Sequence, residues 1–284
     1  MSRYEISGRT VLLTGSTGGL GTAVATELRA RGARLALLDL DEAAVEAQAI
    51  ALGGPGVAHG FVVDVRSMDS ITAAVDAAAE YFGGIDIVIA NAGIEVTAPM
   101  EIATEESFER VIDINVLGVW RTFKAALPHV RAASGYLQAI SSMAAFIHSP
   151  MHASYTSSKA AIWAMCDSLR LELRHQGVAV GSVHPTFFST PMMDAVHRDP
   201  AGVALWNGNK GLIWGMVPID SVVGGVISGI RGRRAIVVVP RRLTIVAKAA
   251  GYSRRIVERL GFNDRQIAEA VWLAEQHPTS DRSK

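Results

Sequence analysis

Thr10-Val-Leu-Leu-Thr-Gly-Ser-Thr-Gly-Gly-Leu-Gly21 is the stretch that decides the fold. Its apolar start, Thr10 to Leu13, reads as a buried parallel strand. Glycines crowd the middle, and from Thr22 to Arg31 the apolar residues Val24, Ala25 and Leu28 recur at helical spacing. Strand, glycine turn and helix in that order form the context a dinucleotide site requires. Glycines let backbone N–H groups close on a pyrophosphate, and the helix N-terminus adds partial positive charge. The loop alone is equally compatible with a tight turn that holds no ligand.

Working outward, Arg34-Leu-Ala-Leu-Leu-Asp39 is a second apolar run, and it ends in an acid. A carboxylate there accepts hydrogen bonds from adenosine ribose hydroxyls and repels a 2′-phosphate. No Arg or Lys lies in the loop or directly after Asp39, so the expected cofactor is NAD rather than NADP. The other role for Asp39 is a helix N-cap, which Asp41 fills better because the helical pattern starts just after it.

The rest of the chain alternates. Strands are expected near 10–14, 34–39, 57–63, 85–90, 134–140, 178–184 and 235–239. Helices are expected near 19–31, 42–52, 67–83, 104–130, 152–176 and 220–231. This alternation predicts an α/β fold, a Rossmann-type doubly wound parallel sheet of about seven strands with right-handed crossovers. Ligands then bind beyond the carboxyl ends of the strands, where Asp39, Asp64, Asn91, Ser142 and Pro185 fall. The expected organisation is one catalytic domain over 1–240 and a helical, basic extension of it over 241–284.

Tyr155 and Lys159 stand four apart at the start of an alanine-rich helical stretch, on one face. An ammonium beside a phenol favours phenolate, so the pair is a candidate acid/base for an alcohol oxygen. Such pairs are also common on solvated helix faces, and the upstream glycine loop is what favours chemistry here.

With these motifs in hand, the sequence resembles the short-chain dehydrogenase/reductase family from about Ser7 to Pro240. The family's TGxxxGxG loop is intact from Thr14 to Gly21, so Gly15, Ser16, Thr17, Gly19, Leu20 and Gly21 are expected against the cofactor. Asp64-Val65 matches the adenine contact, Asn91-Ala92-Gly93 the motif after the fourth strand, and Asn115 in Asp113-Ile-Asn-Val116 the helix asparagine. Ser142 stands 13 residues before Tyr155. The resemblance implies a catalytic set of Asn115, Ser142, Tyr155 and Lys159. Tyr155 as phenolate takes the hydroxyl proton, and Lys159 lowers its pKa and binds the nicotinamide ribose. Ser142 steadies the substrate oxygen, and Asn115 positions a water that links Lys159 to solvent. Pro185 and Thr190 match cofactor contacts, Thr190 at the carboxamide. One departure is Pro185-Thr186 in place of Pro-Gly. Thr186 cannot take a positive φ cheaply, so the backbone beside the nicotinamide is expected to differ. Ala90 before the Asn-Ala-Gly motif is a minor change.

A substrate lid is expected over about 191–218, with Met192, Met193, Leu205, Trp206, Leu212, Ile213, Trp214 and Met216. Such a lining favours an apolar alcohol or ketone, of steroid, lipid or terpenoid type, bound by Ser142, Tyr155, Phe187, Met192, Trp206 and Trp214. Phe146 and Phe188 are further candidates, and plain lid packing or a subunit interface is the alternative use of these side chains. His148 and His152 read as solvated loop residues in preference to substrate contacts, and His184 as the end of the sixth strand. No group of Cys, His and carboxylates has metal-ligand spacing, so no metal is expected.

Charge and cysteine content bound the remaining classes. From Arg231 to Arg265 ten basic residues face Glu258 and Asp264, 10 − 2 = +8, so the rest of this neutral chain carries −8. Basic residues mixed with apolar ones allow peripheral contact with an anionic membrane. Helices that cover the pocket or a subunit interface, arginines outward, are the preferred reading. Nucleic acid is not an expected partner. A homodimer or homotetramer is expected from the resemblance. Cys166 is the sole cysteine, which fits a reducing cytoplasm and a small apolar packing role. No signal peptide and no apolar run long enough to span a bilayer is visible. Two non-enzymatic classes compete, a dinucleotide-binding regulator and an interaction protein on the same fold. The intact Asn-Ser-Tyr-Lys set weighs against both.

Overall fold

The computed structural model describes residues 4–206, 209, 214–252 and 263–276, with the side chains of 191, 192 and 195 outside that description. Seven strands form one parallel sheet in the order β3-β2-β1-β4-β5-β6-β7. They are β1 (Thr10–Thr14), β2 (Arg34–Asp39), β3 (Ala58–Val62), β4 (Ile87–Ala90), β5 (Tyr136–Ile140), β6 (Ala179–Pro185) and β7 (Ile236–Val239). Each lies within one residue of the predicted strand at both ends, apart from the starts of β4 and β5, which come two residues later, because continuous apolar runs bounded by turns are the signature of a doubly covered sheet.

Helices α1 (Gly19–Ala30), α2 (Glu42–Ala51), α3 (Met68–Phe82), α4 (Glu105–Ile112), α5 (Gly118–Ala132) and α6 (Ala153–Leu173) follow successive strands. The sheet alternates between two cores. Val11 and Leu13 of β1 pack with Val24 and Leu28 of α1 on one face. Leu12 packs with Ile71 and Val75 of α3 and with Phe123 of α5 on the other. All three β1 side chains are fully buried, each a gain of roughly 1.5–3 kcal/mol over exposure. Cys166 packs in the second core, as its small apolar character predicts. Asp41, not Asp39, caps α2, accepting from Ala44 N at 3.0 Å.

The chain reverses direction across the sheet between β1 and β4, and their carboxyl ends open the crevice that holds the site. Asn91 closes its floor. Its amide donates to Thr14 O at 3.1 Å and Gly15 O at 2.9 Å. Gly15 takes φ +63°, and a Cβ on it would meet Ala92 Cα at 2.8 Å, so glycine is required there on both counts.

The helix predicted over 104–130 is not continuous. A π-helical segment, Asp113–Leu117, separates α4 from α5. Asn115 sits in this segment, fully buried and hydrogen-bonded outside its own helix, and π-bulges are frequent at functional positions. The lid folds as α7 (Pro191–Arg198) and α8 (Pro200–Trp206), and a bridge between Phe188 and Val217 ties its two ends. After α9 (Ile219–Gly232) and β7, the helix Asp264–Gln276 returns to the lid. There Gln266 donates to Leu205 O at 2.6 Å, and Ala270 and Ala274 are fully buried. The helix Asp264–Gln276 therefore covers the lid, whereas Leu243 and Ala247, earlier in the extension, pack against Met143, Phe146 and Val238. Leu212, Ile213, Arg254, Arg255, Arg259, Ile256, Val257, Leu260 and Phe262 lie outside the described residues. No helix among the described residues is long and apolar enough to cross a membrane.

Candidate active site

A cavity of about 750 Å³ runs along the carboxyl rim, from Asp39 past the glycine loop to Tyr155 and the lid. At one end, the first turn of α1 has no acidic residue and no side-chain cap. Its backbone N–H groups therefore remain open toward an anion. Gly15, Thr17, Gly19, Leu20 and Gly21 line this part, which fits a pyrophosphate. Ser16 does not. It is fully buried, its hydroxyl has no hydrogen-bond partner among the described residues, and its carbonyl accepts from Gln48 Nε2 at 2.6 Å. The loop turns this side chain into the protein, away from the cavity.

Asp39 faces the cavity and also braces the loop, accepting from Thr17 N at 2.9 Å and from Thr17 Oγ1 at 2.7 Å. Asp64 and Val65 line the next wall with Ala92 and Gly93. Asp64 forms a salt bridge with Arg66 at 2.8 Å, which holds its carboxyl below the usual range against the opposing effect of burial. Pro185 and Thr190 line the far wall. Thr186 adopts no positive φ, and its N–H donates to Val239 O at 2.8 Å. The β6–β7 ladder thus runs on past Pro185, and the departure from Pro-Gly is absorbed by extended backbone.

The reacting end gathers Ser142, Tyr155 and Lys159. Ser142 starts a short 3₁₀ turn after β5 and accepts from Ala144 N at 3.1 Å. Tyr155 and Lys159 project from the first turns of α6, one helical turn apart. Lys159 Nζ lies 5.4 Å from the Tyr155 ring centre and donates to Ile140 O at 3.1 Å. Burial pulls Lys159 down to about 8, with Glu95 opposing. The expected lowering of Tyr155 by Lys159 is not found. Burial raises the phenol well above its ordinary value, Glu95 adds to this, and a hydrogen bond with Ser142 offsets only part. The ammonium is spent on a carbonyl, and desolvation of the phenolate outweighs its field.

Asn115 lies behind this group and does not line the cavity. Its Nδ2 donates to Ile94 O at 2.9 Å and Ser158 Oγ at 3.0 Å, and its Oδ1 accepts from Ile94 N at 2.8 Å. With all these bonds spent on protein, its side chain positions the Gly93 loop and α6. His184 was legible only as a strand end, yet it holds Ser142. Its Nδ1–H donates to Ser142 O at 3.1 Å, Nε2 accepts from Ser182 Oγ at 2.8 Å, and burial pulls the ring down to about 4. His152 is no solvated loop residue: it is 2% exposed and bonded to Glu95. Glu95 itself was missed, its one signal being a charge two residues past Asn91-Ala92-Gly93.

The lid end is apolar. Phe187, Met193, Trp206 and Trp214 line it, with Phe187 and Trp206 ring centres 4.6 Å apart. Phe188 joins them, whereas Phe146 packs away from the cavity on Trp163 and His184. The Met192 side chain lies outside the described residues.

Comparison with known proteins agrees with this arrangement. The short chain dehydrogenase family matches residues 9–201. The chain belongs to the short-chain dehydrogenase/reductase family. As a member it is an oxidoreductase with a Rossmann-type fold. It is 33% identical to a D-threitol dehydrogenase of Mycolicibacterium smegmatis, over 71% of this chain and 78% of that one. It is 34% identical to 3beta-hydroxysteroid dehydrogenase 1 of Eggerthella lenta, over 69% of this chain and 77% of that one. A short-chain dehydrogenase/reductase structure from Burkholderia phymatum in complex with NAD shares the fold, with a TM-score of 0.78 and 21% identity, over 92% of this chain and 98% of that one.

Proposed function

We propose that this short-chain dehydrogenase/reductase interconverts an apolar alcohol and its carbonyl with NAD, by hydride transfer at a Ser142-Tyr155-Lys159 site that Asn115 positions. The observation that carries the reading is the meeting, in one cavity, of the uncapped α1 N-terminus with Tyr155, Ser142 and Lys159. NAD, when bound, would supply the hydride acceptor. The protein supplies the proton path. Ser142 donates a hydrogen bond to the substrate oxygen, as an oxyanion donor does. The Tyr155 hydroxyl exchanges a proton with that oxygen, and the Lys159 ammonium, which lines the same cavity, would hold the nicotinamide ribose. Because Tyr155 rests as the neutral phenol, it is poised to protonate a carbonyl oxygen. Alcohol oxidation needs that proton lost first, so the oxidative rate rises with pH.

Asp39 supports NAD over NADP, because its carboxylate faces the cavity beside the glycine loop and, among the described residues, no Arg or Lys pairs with it. The aromatic lid supports an apolar substrate. Of the relatives, one is named for a steroid, which agrees with an apolar substrate, and one for the polyol threitol, which does not. We further place the enzyme in the cytoplasm as a homodimer or homotetramer, with its C-terminal segment serving the lid and not a membrane. The test is dinucleotide reduction with a panel of apolar secondary alcohols, run with NAD and NADP in parallel. Turnover with NAD and at least about tenfold weaker use of NADP, the worth of one adverse charge contact, supports the reading. Equal use of the two contradicts the role of Asp39, and no turnover with any alcohol contradicts the activity.

A further inference from the structure

Glu95 and His152 form a buried pair inside the cavity that hydride transfer does not use. Glu95 leaves β4 two residues past Gly93, and His152 precedes α6, three residues before Tyr155. His152 Nδ1 lies 2.8 Å from Pro150 O, and Nε2 lies 2.7 Å from Glu95 Oε1 and 3.0 Å from Thr97 Oγ1. A carbonyl and a carboxylate only accept, so both ring nitrogens must carry hydrogen and His152 is an imidazolium. Burial is the largest single effect and opposes that charge, but the bond and the charge of Glu95 together with the Pro150 carbonyl more than offset it and raise the pKa. Trp206 of the lid packs against the imidazole at 5.5 Å, and Tyr155 meets it edge-on at 6.5 Å.

The pair is neutral as a whole but uneven in its bonding. His152 spends both N–H groups on protein. Among the described residues, Glu95 receives a hydrogen bond from His152 alone. An ionised carboxylate offers about four acceptor positions, so Glu95 keeps unfilled capacity where it lines the cavity, with 15% of its side chain exposed. The cavity it lines is otherwise largely apolar at the lid end, with Ile94, Phe187, Met193, Trp206 and Trp214, and Arg110 and Ser149 line it as well. A partly buried carboxylate with open acceptor positions rewards a ligand donor and penalises an anion placed directly against it. An ammonium gains less than it would from a lone carboxylate, because His152 already neutralises the pair.

We propose that Glu95, held by His152, is a second recognition point: it accepts a hydrogen bond from a neutral hydroxyl on the apolar substrate, a few carbons from the reacting centre. The substrate class is a diol or hydroxyketone, not a simple alcohol and not a hydroxy acid. This rests on the alcohol–carbonyl reading above.

The experiment compares the 1,2-, 1,3- and 1,4-cyclohexanediols with cyclohexanol, the matching aminocyclohexanols and hydroxycyclohexanecarboxylate. Both kcat/KM with NAD and thermal shift of the NAD-loaded protein are recorded, for wild type and Glu95→Gln. A hydrogen bond to a charged acceptor predicts a diol preference over cyclohexanol of about tenfold to a hundredfold. That ratio falls toward one in Glu95→Gln, and the carboxylate probe gains there. A ratio near one in the wild type by both readouts, no response to any probe, or preference for the amino alcohol overturns the proposal. Should Glu95→Gln not fold, the wild-type ratio still decides. Oxidation of cyclohexanol and diols alike by the wild type sinks the Glu95 role and leaves the alcohol–carbonyl reading standing.

Discussion

Replacing Lys159 with methionine should make the protein more stable while removing its activity. Lys159 is 6% exposed, and burial takes it from 10.5 to about 8. At about 1.36 kcal/mol per pH unit, holding the ammonium in the folded state costs about 3 kcal/mol. The sign follows from linkage: a lowered amine pKa means that the folded chain resists the proton. The penalty is complete below about pH 8 and fades as the unfolded chain deprotonates toward 10.5. Methionine removes the charge and keeps an unbranched apolar chain, but it forfeits the 3.1 Å bond to Ile140 O, a loss of about 1 kcal/mol. The net gain is about 2 kcal/mol. With about 2.1 cal/mol/K of unfolding entropy per residue over 284 residues, that is a Tm rise of about 3 °C. Thermal unfolding at neutral pH, without dinucleotide, measures it. Repeating the comparison at rising pH should narrow the gap between variant and wild type above about pH 8. A Lys159→Met protein that melts below the wild type at neutral pH would refute the claim that this ammonium is held at a cost.

Two other outcomes follow from the same geometry. A Cβ on Gly21 would lie 2.1 Å from Gly15 O and 2.8 Å from Ser16 O, both backbone atoms. Gly21→Ala should therefore abolish the NAD-induced thermal shift, and an unchanged shift would show that the loop does not hold the pyrophosphate. His184 is held neutral, with its pKa lowered to about 4. The unfolded chain binds a proton that the folded chain refuses between about 6.5 and 4, so stability drops by up to about 3 kcal/mol as pH falls through that window. Urea unfolding across it should show this slope, and His184→Gln should flatten it.

Much of the fold was readable because the sheet is covered on both faces. Apolar runs such as Thr10–Leu13 and Arg34–Leu38 admit few other readings, and the β/α alternation then sets the topology. Motif residues tied to strand ends, Asp39, Asn91, Ser142 and Pro185, were brought together as expected. What stayed hidden depends on contacts between distant segments. The π segment holds Asn115 and its bonds to Ile94 and Ser158, which no periodicity reveals. The direction of the Ser16 side chain, the Glu95–His152 pair and the His184–Ser142 bond belong to the same class. The resting state of Tyr155 could not be read from its spacing to Lys159, because burial decides it and burial is a property of the whole cavity.

The central claim is that the Tyr155 hydroxyl carries the proton in a dinucleotide-dependent redox step. The most direct measurement is the formation of reduced nicotinamide by Tyr155→Phe beside its NAD-induced thermal shift, each against the wild type with one productive alcohol. Phenylalanine keeps the ring and removes the one atom that exchanges the proton. Turnover falling by at least about a hundredfold, the lower range for a general acid–base, with the thermal shift retained, is the result expected. Turnover within a few-fold of the wild type would contradict the mechanism at its root.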